Sequence, residues 1–293
     1  MPSIPAQTHE GMIDLPDGRA LAYVERGPKD GAPVIFHHGT PGSRAGHHPE
    51  PSVYADSGAR VISYDRAGYG RSDRLEGRDV VDVVGDISAL ADELGFSRFA
   101  VMGVSGGGPH ALACGALLPD RVTRAAVMVT PAPNDVDFDF LAGMTQGNID
   151  EFEAALAGPA AIATFLAPFV ELLKTDPEAM LDELAAELPA PDQATMARPE
   201  VRKMLVTNWQ EATRQGAAGW MDDDLAFTRP WGFELADVAV EVRLWHGELD
   251  RLSPRGHGQQ VAERLPNASF ELLPGMGHML YDAWPGALAW AAG

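Results

Sequence analysis

Four short apolar runs in the first half of the chain constrain the fold most. They are Val34-Ile35-Phe36-His37, Arg60-Val61-Ile62-Ser63-Tyr64-Asp65, Phe99-Ala100-Val101-Met102-Gly103-Val104 and Ala125-Ala126-Val127-Met128-Val129. Helical stretches separate the later ones, from about Asp79 to Leu94 (stopped by Gly95) and from about Pro109 to Leu118. Buried strands alternating with helices predict an α/β fold: a mostly parallel central sheet flanked by helices on both faces. Ligands of such sheets bind beyond the carboxyl ends of the strands. Three of the four runs end there in loops rich in Gly, Pro and polar residues. Ahead of them, GMIDL and RALAYVERG flank Pro16-Asp17-Gly18, a hairpin signal.

From Pro131 to Gly232 the strand pattern stops. Asn148-Ile149-Asp150-Glu151 reads as a capped helix start, Ile162, Phe165, Leu166 and Phe169 recur at helical spacing, and Asp176-Pro177-Glu178 and Arg198-Pro199 open further helices. Strands return at Val240–Trp245 and Ser269–Leu273, and a last helix is expected from Met279 to about Ala292. The expected organisation is a core of residues 1–130 and 233–293 interrupted by a helical insertion, 131–232.

The chain's 293 residues carry 22 Lys and Arg against 42 Asp and Glu, a net charge of −20. Such a surface repels phosphate backbones and anionic headgroups, so neither nucleic acid nor a membrane is an expected partner. The one cysteine, Cys114, rules out an intramolecular disulfide and a cysteine metal cluster. The first residues, MPSIPAQTHEGM, have neither a basic nor an apolar signal region, and no apolar run reaches transmembrane length, which together lead us to expect a cytoplasmic protein. Nothing in the sequence specifies an oligomeric state.

Chemistry concentrates at the strand ends. Gly103-Val104-Ser105-Gly106-Gly107 sits between a buried strand and a helix, a sharp turn that pushes a serine hydroxyl into the open. A serine is a weak nucleophile until a base takes its proton and a third group orients that base. Of nine histidines, His278 stands in a Gly-rich loop after the last strand, Gly275-Met276-Gly277-His278, and is expected to be the base. His37, His38, His47, His48 and His110 are expected to be structural or to form pocket wall, with His38 on that wall. No acidic residue completes a zinc pattern around the two His pairs, so no metal and no cofactor are expected. Asp250, directly after a strand in Trp245-His246-Gly247-Glu248-Leu249-Asp250, is the expected acid; Glu248, Asp135 and Asp137 are alternatives. Stabilising an oxyanion takes two fixed N–H donors. They are expected from Gly106 and from Thr40, in the loop His38-Gly39-Thr40-Pro41-Gly42.

These segments resemble the α/β-hydrolase superfamily. His38-Gly39-Thr40-Pro41 resembles its oxyanion loop, Asp65-Arg66-Ala67-Gly68-Tyr69-Gly70-Arg71-Ser72 the stretch after its next strand, and Gly103 to Gly107 its nucleophile elbow. His246 to Asp250 and Gly277-His278 resemble its acid and histidine loops, and the insertion resembles its helical cap. Trp220-Met221-Asp222-Asp223-Asp224 and Pro230-Trp231-Gly232-Phe233 look like stretches common in uncharacterised bacterial members. The resemblance implies a triad and a cap. Serine at the elbow departs from the dehalogenase and epoxide hydrolase branches, which use Asp, and the elbow departs from the proline iminopeptidase form.

The expected function is therefore hydrolysis of an ester or related acyl bond in a small, mostly apolar substrate. Carbon–carbon bond hydrolysis and perhydrolysis on the same triad are alternatives, and outside enzymes a ligand receptor with slow turnover. The insertion should roof the pocket, with Phe138 and Phe140 as candidates for its pocket face.

Overall fold

A computed structural model of the chain describes residues 8–134 and 138–293. Its strands are β1 (His9–Asp14), β2 (Ala20–Arg26), β3 (Ala32–His37), β4 (Ala59–Tyr64), β5 (Phe99–Val104), β6 (Val122–Met128), β7 (Glu241–Gly247) and β8 (Ala268–Leu273). They form one sheet in the order β1-β2-β4-β3-β5-β6-β7-β8. β2 is antiparallel to both its neighbours, and every pair from β4 to β8 is parallel.

Two-residue alternation within the central strands feeds two separate cores. Ile35 and Val101 face a cluster completed by Ile87 and Leu90 of α2 (Val83–Glu93), Leu112 of α3 (Gly107–Leu117) and Val261 of α10 (Arg255–Arg264). Val34, Phe36, Ala100 and Met102 face the other side, against Tyr54 of α1 (Ser52–Ser57) and Leu288 of α11 (Trp284–Ala292). The last helix begins at Trp284 rather than Met279: residues 280–283 are turned back on themselves by Ala283 N–H to Leu280 O, and Pro285 occupies the first turn, where its missing N–H costs nothing.

Between β6 and β7 the described residues include six α-helices: α4 (Gln146–Ala157), α5 (Pro159–Thr175), α6 (Pro177–Glu187), α7 (Ala190–Met196), α8 (Pro199–Ala212) and α9 (Ala218–Phe227). Ile162, Leu166, Leu173, Leu181, Leu205 and Trp220 pack into a third cluster that these helices share with Tyr69 of the sheet domain. The first of the helices starts earlier than the expected Asn148 cap. Thr145 is its N-cap and accepts the Asn148 N–H, which leaves Glu151 free to turn inward. Among the described residues no helix is long and apolar enough to cross a membrane.

Candidate active site

The loops at the carboxyl ends of β3, β5, β7 and β8 converge on one cavity of about 240 Å³. Ser105 stands at the end of β5 with φ 54°, the left-handed region a side chain rarely adopts. The turn closes because its flanks are glycine: a Cβ on Gly103 would lie 2.4 Å from the Gly107 carbonyl oxygen, and one on Gly107 would lie 2.1 Å from that of His37. The latter contact also presses the start of α3 against the end of β3. A Cβ on Gly106 would meet Thr40 Oγ1 at 2.3 Å, so the Thr40 loop and the Ser105 turn are immediate neighbours.

His278 lines the same cavity as Ser105. Its Nδ1 lies 2.8 Å from Asp250 Oδ2, while Asp250 Oδ1 accepts the backbone N–H groups of Leu252 and Ser253 at 2.9 and 3.0 Å. Burial alone would lower the His278 pKa, but the Asp250 charge and hydrogen bond outweigh it and hold it above the ordinary 6.5. Glu248 does not reach the histidine; it accepts the Gly275 N–H at 3.0 Å on the exposed side of the loop. Asp135 and Asp137 lie outside the described residues. The two loops can meet because Gly247 has no side chain: a Cβ there would stand 1.9 Å from the Gly277 carbonyl oxygen.

Four other histidines are individually tied. His37 meets the Tyr64 hydroxyl at 2.8 Å, His47 the Ala45 carbonyl at 2.7 Å, and His48 the Tyr281 carbonyl at 3.2 Å. His38 lines the cavity, but its Nε2 accepts the Arg66 N–H and its ring sits edge-on to Tyr69. Burial and the Arg66 charge keep its pKa well below 6.5, so it stays neutral. Phe138 and Phe140 do not reach the lining. Each packs its ring against His257 of α10 instead. The insertion contributes instead Leu173, Met180, Leu184, Met204, Trp209 and Trp220.

Two acids of the insertion hold the site's loops, and sequence reasoning missed both. Asp192 of α7 accepts the backbone N–H groups of His278 and Met279 at 2.9 and 2.8 Å. Asp223 of α9 is fully buried and takes the Thr40 hydroxyl at 2.6 Å, the Tyr69 hydroxyl at 2.8 Å, Arg66 at 2.5 Å and Arg78 at 2.6 Å. Burial would raise the Asp223 pKa, but the two guanidinium groups drive it well below 3.8. Arg66 in turn donates to the carbonyls of His38 and Gly39, so the Thr40 loop is clamped by one charged cluster. Asn208 of α8 adds a third tie, accepting the Ser43 N–H at 2.9 Å. The only signal available for Asp223 was the run of three acids at 222–224.

The sequence matches the α/β-hydrolase fold family over residues 32–283. The chain belongs to that family. It is 29% identical over 287 residues to a non-heme chloroperoxidase from Streptomyces lividans, covering 95% of this chain and 96% of that one. It is 27% identical over 285 residues to a bifunctional esterase/perhydrolase from Acinetobacter calcoaceticus, covering 92% of each. Among solved structures, the enol-lactonase from Burkholderia xenovorans superposes with a TM-score of 0.69 at 18% identity, over 95% of this chain and 98% of that one. As a family member of this kind, the protein is a hydrolytic enzyme.

Proposed function

We propose that the protein is a serine hydrolase that cleaves an ester or related acyl bond in a small, mostly apolar substrate. The observation that carries this reading is the 2.8 Å contact of His278 Nδ1 with Asp250 on the wall of the cavity that Ser105 faces. In this reading Asp250 fixes the histidine with its Nδ1 protonated, leaving Nε2 free to take the Ser105 proton. The Ser105 oxygen adds to the acyl carbon, and the resulting oxyanion is held by the N–H groups of Thr40 and Gly106. The imidazolium returns its proton to the departing alcohol, leaving an acyl-enzyme. Water then adds with His278 again as base, releasing the acid and restoring the Ser105 hydroxyl.

A second reading shares every step but the last. The Acinetobacter calcoaceticus relative, named a bifunctional esterase/perhydrolase and matched over 92% of its length, supports perhydrolysis, in which hydrogen peroxide replaces water on the acyl-enzyme and the product is a peracid.

A fluorophosphonate should transfer its phosphonyl group to the Ser105 oxygen, with loss of hydrogen fluoride, and add that mass to the peptide containing Ser105; Ser105→Ala should abolish both the adduct and turnover of p-nitrophenyl esters. An adduct on another residue would overturn the assignment. Supplying hydrogen peroxide with an acyl donor and measuring peracid separates the two readings.

A further inference from the structure

The wall that the insertion turns toward Ser105 carries two carboxyl groups, Glu151 of α4 and Asp224 of α9. Each of the two preceding acids has guanidinium partners: Asp222 pairs with Arg74 at 2.8 Å, and Asp223 with Arg66 and Arg78. Asp224 has none. It is 2% exposed, and its Oδ2 receives no N–H or O–H donor among the described residues. Glu151 accepts the Trp220 indole N–H at 2.5 Å. Burial raises the pKa of both groups, and the proximity of Glu151 raises Asp224 further, well above 3.8. Two buried carboxyl groups in contact resist ionising together and favour sharing a proton.

The pair faces a cavity whose lining, among the described residues, contains no Lys or Arg; of its histidines, His38 and His47 are kept neutral by burial and His278 is paired with Asp250. Trp209, Trp220, Phe152 and Phe227 surround it with aromatic rings. A buried negative charge is costly until a positive one meets it, and aromatic faces favour cations over anions. A neutral donor would satisfy the free oxygen but leave the charge; an anion would be repelled. The net charge of −20 also draws cations toward the molecule.

We propose that Glu151 and Asp224 form a subsite for a positively charged amine nitrogen on the substrate. The term substrate rests on the reading of Ser105 above; the subsite itself rests on the pair and the cavity. A primary or secondary ammonium would donate to Asp224 Oδ2 and to Glu151, and the shared proton would leave to solvent.

Two measurements test it. The first compares p-nitrophenyl 6-aminohexanoate with its methyl isostere, p-nitrophenyl heptanoate, as a ratio of kcat/KM within one preparation, which is independent of the fraction folded. The amine should be preferred by the native enzyme. Glu151→Gln and Asp224→Asn should each lower the ratio by about 30-fold or more, the usual effect of truncating one partner of a buried charge pair. A native ratio at or below one, or a ratio unmoved by both substitutions, overturns the subsite. The second is calorimetric binding of n-pentylammonium against n-pentanol to the native protein and to Glu151→Gln. Tighter ammonium binding that Glu151→Gln removes supports the subsite, and equal binding of the two overturns it. If Ser105 takes no phosphonate and neither ester is cleaved, the hydrolase reading fails, and the calorimetry alone decides the subsite.

Discussion

Asp223 offers the sharpest test of how the insertion serves the site. Asp223→Asn keeps the shape but removes the charge shared by Arg66 and Arg78, which are 1% and 5% exposed. Breaking a buried pair by neutralising one partner costs about 3–5 kcal/mol, because the other charge stays buried. At about 2–4 °C per kcal/mol for a large domain, the melting temperature should fall by about 6–20 °C. The same substitution loosens the acceptor of the Thr40 hydroxyl. If the Thr40 N–H holds the oxyanion, kcat should drop toward the roughly 10²–10³-fold loss that follows removal of one such donor. Thr40→Val is the companion variant: it removes only the hydroxyl, so it should cost about 1 kcal/mol while lowering kcat in the same direction. Scanning calorimetry gives the first quantity, and steady-state ester hydrolysis well below the melting point gives the second. An Asp223→Asn protein that melts within 2 °C of the native one with an unchanged kcat would refute the clamp. The acid dependence has a definite sign. The folded-state pKa of Asp223 lies well below 3.8, so its stabilisation is complete above that value and is lost only as pH falls through the folded value.

The remaining predictions follow from the same geometry. His278 must be neutral to act as base and its pKa is raised, so kcat/KM should rise with pH along a limb centred above 6.5; a flat profile from pH 5 to 9 with chemistry limiting would contradict a histidine base. Asp250→Asn should lower kcat by up to about 10⁴, as the analogous change does in a serine protease, whereas Glu248→Gln should leave kcat near native; the reverse result would assign the acid to Glu248. Met180→Ala and Leu184→Ala should shift preference toward longer acyl chains by on the order of tenfold per methylene accommodated, while Phe140→Ala should lower stability without moving the chain-length profile across a p-nitrophenyl ester series.

What could be read from the sequence was local. The Ser105 turn, the Asp250 loop and the His278 loop each declare themselves within six residues, because glycines there let backbones approach within side-chain distance. The central strands read well because they are buried on both faces, as β5 is. The insertion read less well. Helix α9 contains Gly219 and three consecutive acids, a composition that suggests a solvated turn, yet Asp222, Asp223 and Asp224 are all at most 2% exposed. Partners for the first two come from Arg66, Arg74 and Arg78, some 140 to 160 residues earlier, and no local pattern reports pairing at that distance. Helix α7 spans only seven residues between prolines at 189 and 199, too short for a periodic signal. Phe138 and Phe140 misled because being large and close to the end of β6 says nothing of which side of the chain they leave from; His257, more than a hundred residues later, decides that.

The grip of Asp192 on the backbone of His278 has a consequence for how the enzyme can admit substrate. A helical roof is easily imagined as a hinged cover that swings clear of a finished catalytic apparatus. Here the cover and the apparatus share hydrogen bonds: α7 holds the histidine loop, α8 the Ser43 turn and α9 the Thr40 loop. Lifting the roof as a rigid body would break these bonds and free the loops that carry His278 and Thr40 together, so if those residues are the base and an oxyanion donor, an open molecule is an idle one and admission relies on smaller movements of side chains lining the mouth. The same bonds limit engineering by exchange. A roof borrowed from a relative without carboxylates at positions 192 and 223 would leave neither the His278 loop nor the Thr40 loop held in place.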